Sequence, residues 1–204
     1  MNKPTIYCVF DCDDINPNLE DGRDHILKLK ELFPQMTITY YTPMCWHGKG
    51  FTIASDYPEA EKAMHGFLHM NQSGNGECEY LCVLKYLKET LNFNWDAHGY
   101  VKLIRPPGWL ITQENMRWLI DDGWTIAGHP TWYKDLDHIS IDELPRHPKH
   151  PNVIIHSHIS EQCGKNSISI VENFNKTINI IKFLEDNYDV KWVSSLELHK
   201  KLTF

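Results

Sequence analysis

The sequence alternates short apolar runs with helix-favouring stretches along most of its length. Residues 5–10 and 152–155 are apolar runs typical of buried strands, whereas residues 24–32 and 168–185 have the apolar spacing of amphipathic helices. This alternation predicts an α/β fold with a mainly parallel sheet, because parallel neighbours need a long crossover that a helix supplies. We find no repeat, no low-complexity tract and no linker, so residues 1–204 are predicted to form a single domain.

The same patterns assign most of the remaining segments. They predict strands at residues 36–41, 100–104, 124–127 and 191–194, helices at 77–90, 112–120 and 196–202, a helix-favouring stretch at 59–63 and a long ordered loop at 128–151.

Composition excludes several classes of protein. Hydrophobic residues make up 42% and charged residues 23%, which fits neither a disordered chain nor a membrane protein. No apolar run approaches the ~18 residues of a spanning helix, and the chain shows no signal region, so we expect a cytoplasmic protein. The net charge of −7 without a basic patch argues against a nucleic-acid partner. Six scattered cysteines predict free thiols rather than a disulfide scaffold.

Four clusters of reactive side chains stand out, and three of them directly follow an apolar run. Ligand sites of parallel sheets lie at the carboxyl ends of the strands, so this placement favours a functional role. The clusters are Asp11/Asp13/Asp14, His65/His69, the segment Arg105-Pro106-Pro107-Gly108-Trp109, and His156/His158.

Each cluster has a chemical and a purely structural interpretation. His65 and His69 are four residues apart, so on a helical turn both rings face one side and, with one carboxylate, could hold a hydrolytic metal ion. Two prolines after Arg105 would hold it rigidly, ready to orient an aspartate and lower its pKa. His156 could protonate a leaving amine. The structural alternatives are a polar turn for the aspartates, two surface histidines for His65 and His69, a stiff surface turn for the arginine segment and a buried, hydrogen-bonded histidine for His156.

In their order and spacing, these clusters resemble the motifs of the polysaccharide deacetylase family, the NodB-homology domain of carbohydrate esterases. The motifs are Phe10-Asp11-Cys12-Asp13-Asp14, His65-Gly66-Phe67-Leu68-His69, Ile104 to Trp109, and Ile154-Ile155-His156. The resemblance covers nearly the whole chain. It implies a distorted (β/α) barrel of about seven mainly parallel strands.

The resemblance also implies roles for individual residues. Asp13 would be the catalytic base, Arg105 would orient it, and His156 would be the acid, while Asp14, His65 and His69 would hold Zn²⁺ or another divalent transition metal. Pro107, Trp109 and His158 are the expected substrate-binding residues.

The sequence departs from the family pattern at several points. Cys12 separates Asp11 from the pair Asp13/Asp14. The two aspartates of the family motif could therefore correspond to Asp11 and Asp13, although the contiguous pair Asp13/Asp14 is preferred because the family pair is contiguous. The fourth family motif is not recognisable, and residues 132–137 are its nearest counterpart. His158 competes with His156 for the role of the acid.

These observations predict a zinc-dependent hydrolase that removes an acyl group, in particular N-acetyl, from a sugar or polysaccharide. The expected partner is therefore an N-acylated carbohydrate, with no nucleic acid and no membrane, and the oligomeric state stays open. Two alternatives remain. One is a non-catalytic glycan-binding module on the same fold, and the other is a deformylase or another amide hydrolase of this superfamily.

Overall fold

The computed structural model describes residues 3–15, 23–43, 57–66, 99–141, 143–158 and 170–202. Within these ranges, the chain forms a sheet with four α-helices around it. The strands are β1 (Thr5–Asp13), β2 (Ile38–Thr42), β3 (Glu61–Met64), β4 (Leu103–Ile104), β5 (Thr125–Ile126), β6 (Leu136–Ser140), β7 (Asn152–His158) and β8 (Asp189–Trp192). The helices are α1 (Arg23–Leu32), α2 (Gln113–Asp121), α3 (Ile170–Asn187) and α4 (Ser195–Lys201).

All of the strand pairs among these residues are parallel, and β1 lies at the centre of the sheet. The order is β5-β4-β3-β2-β1-β7-β6. One edge of β1 pairs with β7 over Tyr7–Asp13; the other pairs first with β8 over Thr5–Cys8 and then with β2 over Phe10–Asp13. The sheet curls into a half-barrel with surrounding helices, which confirms the predicted distorted (β/α) barrel of about seven parallel strands.

The two faces of β1 have different neighbours because side chains alternate along a strand. Cys8, Phe10 and Cys12 point outward into an apolar layer shared with α1 and α3. Val9 points inward and packs with Ile154 and Leu198. Asp11 and Asp13 follow Val9 at two-residue intervals, so both carboxylates are directed into the interior above this apolar base.

Several predicted elements are confirmed with small shifts of their ends. The helix predicted at 112–120 is α2, and its N-cap is Thr112, whose side chain accepts a hydrogen bond from the backbone N–H of Asn115 at 3.2 Å. β1 and β7 extend beyond their apolar runs through polar residues. The helix predicted at 77–90 lies outside the described residues.

Two predictions of local structure are wrong. Residues 61–63 of the stretch expected to favour a helix belong to β3, in which Ala63 packs with Tyr41 and Leu103. The stretch 128–151 contains β6, which pairs with β7. In both places the strand is specified by pairing with neighbours distant in sequence, and such pairing outweighs local propensity.

Among the described residues, no helix combines the length and apolar character needed to cross a membrane.

The outer apolar layer gives a prediction about stability. Ile155 is fully buried in the cluster between the sheet and the helices, so Ile155→Ala should lower the free energy of unfolding by about 2–5 kcal/mol. The matched control is Leu144→Ala, because Leu144 is 84% exposed and its truncation should change that free energy by less than about 0.5 kcal/mol. Urea denaturation measures both, and equal losses would contradict the assigned packing.

Candidate active site

The polar residues of the predicted clusters meet at the carboxyl ends of the strands. Asp13 ends β1, and His156 and His158 lie in the last three residues of β7. The parallel register places His158 beside Asp13 and His156 beside Asp11. Asp14, His65 and Arg105 follow the ends of β1, β3 and β4. Of the site residues predicted from the sequence, His69 lies outside the described residues.

Arg105 is the central charge of the site, and it is fully buried. Its Nη1 donates to Oδ1 of Asp13 at 2.7 Å, and its Nη2 donates to Oδ2 of Asp11 at 2.5 Å. The guanidinium lies between two aromatic rings, 3.8 Å from the centroid of Tyr41 and 4.6 Å from that of Trp109. These four contacts fix one orientation of the guanidinium and aim a nitrogen at each carboxylate.

Trp109 is held over Arg105 by an unusual turn. Gly108 and Trp109 both have φ of 60°, and the N–H of Trp109 donates to the carbonyl of Pro106 at 2.9 Å. A non-glycine residue in this region is strained and persists only where its surroundings hold it. The indole also meets the rings of His129, His138 and His156 at centroid distances of 5.8–6.1 Å.

The turn that carries Trp109 also contains the other predicted substrate-binding residue of this segment. Pro107 is buried, whereas Gly108 beside it is exposed. Trp109 is half-buried. The part of this turn that faces outward is therefore Gly108 with a portion of the indole.

Asp13 connects Arg105 to His156. Its second oxygen, Oδ2, accepts a hydrogen bond from Nε2 of His156 at 3.1 Å. Burial raises the pKa of Asp13, but Arg105, His65 and His156 outweigh it and hold this pKa well below the ordinary value. Burial lowers the pKa of His156, and Asp13 offsets part of that effect.

Asp11 is the second carboxylate on Arg105, and it has a different environment. It is fully buried, and besides Arg105 it accepts a hydrogen bond from Oγ of Ser195 at 3.2 Å. Ser195 is in turn 2.6 Å from the hydroxyl of Tyr41 and 3.1 Å from Nδ1 of His199. Burial raises the pKa of Asp11 to about 7, although Arg105 opposes that rise. Asp11 and Asp13 thus share one cation but differ in basicity.

The tautomer of His65 follows from its hydrogen bond. Nδ1 of His65 lies 2.8 Å from the backbone carbonyl of Arg105, and a carbonyl only accepts, so Nδ1 carries a proton. In the neutral ring the lone pair of Nε2 then points at two carboxylates. Nε2 is 3.5 Å from Oδ1 of Asp14 and 3.7 Å from Oδ2 of Asp13.

This arrangement fits a divalent cation. A lone pair that faces two carboxylates is repelled unless a positive charge lies between them, and metal-binding histidines commonly donate their other N–H to a backbone carbonyl. His158 adds a second nitrogen donor, with Nε2 at 3.7 Å from Oδ2 of Asp14. The ligand atoms of Asp13, His156 and His158 also lie within 4.8 Å of one another. The described residues thus offer an Asp-His-His group that could bind a metal.

The local backbone around His65 differs from the helical turn predicted for His65 and His69. His65 follows β3 directly, and Gly66 has φ of 75°, so a helical turn does not begin at His65. Asp14 also has a positive φ, of 67°, a conformation that aspartate tolerates better than most residues do. The change of direction after Asp13 brings the carboxylate of Asp14 towards His65 and His158.

The sequence analysis missed His138, which lies beside the site. Its ring is 4.9 Å from that of His156, and burial together with the nearby His156 and Arg105 lowers its pKa to about 3. His138 lies on β6, inside the segment expected to be a loop. No period-two pattern marks β6, because its apolar residues Leu136 and Ile139 are three positions apart.

Comparison with known proteins supports the fold. No protein-family model matches the sequence, and no curated protein matches it either. Among solved structures, the Bc1960 peptidoglycan N-acetylglucosamine deacetylase is 17% identical, with a TM-score of 0.58 over 98% of this chain and 92% of that one. An acetyl xylan esterase of family 4 from Clostridium thermocellum, solved with a cobalt ion, is 10% identical, with a TM-score of 0.53 over 95% and 90%.

A third similar structure is the wild-type BA3943 protein of Bacillus anthracis, described as a CE4 family pseudoenzyme. It is 13% identical, with a TM-score of 0.57 over 95% of this chain and 65% of that one. At these identities the likeness establishes the fold. The chain has the fold of CE4 carbohydrate deacetylases and esterases, as the resemblance of its motifs predicted.

The buried charges give a stability prediction. Arg105→Met leaves Asp11 and Asp13 without their cation, so the free energy of unfolding should fall by about 3–5 kcal/mol. The double variant Arg105→Met/Asp11→Asn should recover part of that loss, because one uncompensated carboxylate is removed. Denaturation in the presence of a chelator measures both. An Arg105→Met variant as stable as the wild type would contradict the central role of this cation.

The raised pKa of Asp11 gives a prediction about pH. Its folded-state pKa of about 7 exceeds the ordinary value of 3.8, so its stabilising contribution is present below pH 4 and is lost as the pH rises towards 7. Between pH 4 and pH 7, the unfolding free energy of the wild type should therefore fall relative to that of Asp11→Asn. Above pH 7, the difference between the two proteins should become constant. A constant difference, or a shift in favour of the wild type, would contradict it.

Proposed function

We propose that this protein is a metal-dependent deacetylase that removes an acyl group, in particular N-acetyl, from a sugar or polysaccharide. The observation that carries the proposal is the carboxylate of Asp13, with one oxygen on Arg105 and the other on His156. Beside it, Nε2 of His65 faces the same carboxylate and that of Asp14. Metal-dependent hydrolysis of an amide uses a base, an acid and a polarising cation, and these residues are chemically suited to the three roles.

Asp14, His65 and His69 would hold the cation. When bound, a divalent transition metal such as Zn²⁺ polarises the acyl carbonyl and makes water more acidic. The protein contributes the orientation of the donors, because the carbonyl of Arg105 fixes the tautomer of His65. The carboxylate and two imidazoles leave coordination positions open to substrate and water.

Asp13 and His156 would move the protons. Asp13 stays ionised because its pKa is well below the ordinary value, so it accepts a proton from the attacking water. His156, hydrogen-bonded to the same carboxylate, donates a proton to the nitrogen of the leaving amine. The amide and water thereby become a carboxylic acid and a free amine, and the proton taken at Asp13 is balanced by the proton given by His156.

Arg105 and Trp109 would shape the site around this pair. The guanidinium keeps one oxygen of Asp13 fixed, so the other oxygen faces His156 and the reacting atoms. The indole covers the guanidinium and is half-buried. The exposed part of the indole is proposed to contact the carbohydrate, together with Pro107 and His158. Aromatic rings suit the apolar faces of sugar rings.

A non-catalytic glycan-binding module is the second candidate, because one similar structure is described as a pseudoenzyme. The two functions differ in what they require of Asp13. A base that only moves a proton contributes little to the binding of a ligand, whereas turnover depends on it.

The test is Asp13→Asn, which keeps the size of the side chain but cannot accept the proton. Acetate release from N-acetylated chitooligosaccharides, peptidoglycan fragments and acetylated xylan should fall by at least about 10²-fold. Metal content and glycan affinity should stay within a few-fold of the wild type. Asp186→Asn on the exposed side of α3 is the control, and it should retain full activity.

Two outcomes would replace the proposal. If the wild type releases no acetate, yet binds glycans as tightly as Asp13→Asn does, the protein is a non-catalytic glycan-binding module. If formate is released from N-formyl substrates while acetate is not, the enzyme is a deformylase with the same catalytic groups.

A further inference from the structure

Two imidazoles flank the carboxylate of Asp14, one on each oxygen. Nε2 of His65 lies 3.5 Å from Oδ1, and Nε2 of His158 lies 3.7 Å from Oδ2. With metal–ligand distances of about 2.0–2.2 Å, two neighbouring ligand atoms of one cation are about 2.8–3.6 Å apart, depending on the coordination number. Both distances are close to the upper end of that range, so a cation held by both oxygens of Asp14 lies within reach of both rings.

The fold directs His158 towards this position. His156 and His158 lie on the same face of β7, which is the inner face because the alternate residues Val153 and Ile155 pack outward. In the ladder His158 is in register with Asp13, one residue before Asp14. Its side chain is 37% exposed, so the ring is accessible to an ion from solvent.

The neighbouring carboxylate is a poorer site for the cation. Both oxygens of Asp13 already have partners, Arg105 on Oδ1 and His156 on Oδ2. A cation bound there would lie close to the guanidinium and would displace the hydrogen bond to His156. At Asp14, by contrast, each oxygen faces an imidazole nitrogen.

We propose that His158 is a ligand of the same divalent cation as Asp14 and His65. The inference rests on the proposed metal-dependent function and adds a ligand that the resemblance to polysaccharide deacetylases does not assign. With His69 the protein would supply four ligands, so positions for substrate and water require a five- or six-coordinate cation. The inference has a consequence for the chemistry. A histidine whose Nε2 binds the cation cannot give a proton from that atom, so the role of the acid belongs to His156.

The test measures metal binding rather than turnover. Co²⁺ alone is titrated into the full-length protein stripped of metal, with affinity determined by competition with a chelator. His158→Ala should weaken Co²⁺ binding by at least about 100-fold, the upper end of losses caused by changing only the groups behind a ligand. His156→Ala, on the same face of the same strand, should leave the affinity within a few-fold of the wild type.

A second variant gives a gain of signal. His158→Cys places a thiolate where the imidazole would bind, so the Co²⁺-loaded variant should show a sulfur-to-cobalt charge-transfer band absent from the wild type. Ser157→Cys is the matched control, because Ser157 is buried and points to the opposite face of β7. Subtracting the wild-type spectrum removes any contribution from the native cysteines.

The outcomes separate this inference from the proposed function. If Co²⁺ binds equally well to the wild type and to His158→Ala, and His158→Cys shows no new band, His158 is not a ligand and the metal-dependent function stands. If His156→Ala weakens binding as much as His158→Ala does, the cation belongs to Asp13, His156 and His158, and the site at Asp14 is wrong. If the wild type binds neither Co²⁺ nor Zn²⁺, both proposals fail.

Discussion

The pairing of one buried arginine with two buried aspartates is the interaction on which this site depends. Arg105 has no exposed surface, and moving its charge out of water costs several kcal/mol. Asp11 and Asp13 offset that cost, each with one oxygen on a different guanidinium nitrogen. The rings of Tyr41 and Trp109 close the remaining faces. The aspartates cannot turn without uncovering the arginine, so the interior of the barrel holds its reactive groups in one arrangement.

The consequences reach the residues around that centre. Because the guanidinium holds one oxygen of Asp13, the other is left to His156, and the pKa values of the two groups are lowered for different reasons. The backbone carbonyl of Arg105 also fixes the proton on Nδ1 of His65. One residue therefore acts through its side chain on the carboxylate and through its main chain on a metal-ligand candidate. Through these two contacts, Arg105 holds the carboxylate of Asp13 and the imidazole of His65 close together.

The predictions from sequence were accurate where the chain carries local signals. Thr112 caps α2 because its hydroxyl accepts a hydrogen bond from the backbone N–H three residues later. The apolar face of α3 follows from the spacing of its apolar residues in the sequence. Prediction failed at β3 and β6, where the stretches contain charged or polar residues. His138 was missed for this reason, since a histidine within an assumed loop gives no sign that it points into a barrel. His65 was expected on a helical turn, and only the structure shows it after a strand.

The sequence by itself determined the parallel α/β architecture, the four reactive clusters and their order. Apolar periodicity, and reactive side chains directly after apolar runs, are both visible in residues that are close together in the sequence. The tertiary structure decided which groups meet. It alone assigns Asp11 and Asp13 to one guanidinium, gives those two carboxylates opposite shifts in pKa, and directs His158 towards Asp14. These properties depend on burial and on distances between residues up to 184 positions apart in the chain, between Asp11 and Ser195. No local pattern in the sequence encodes them.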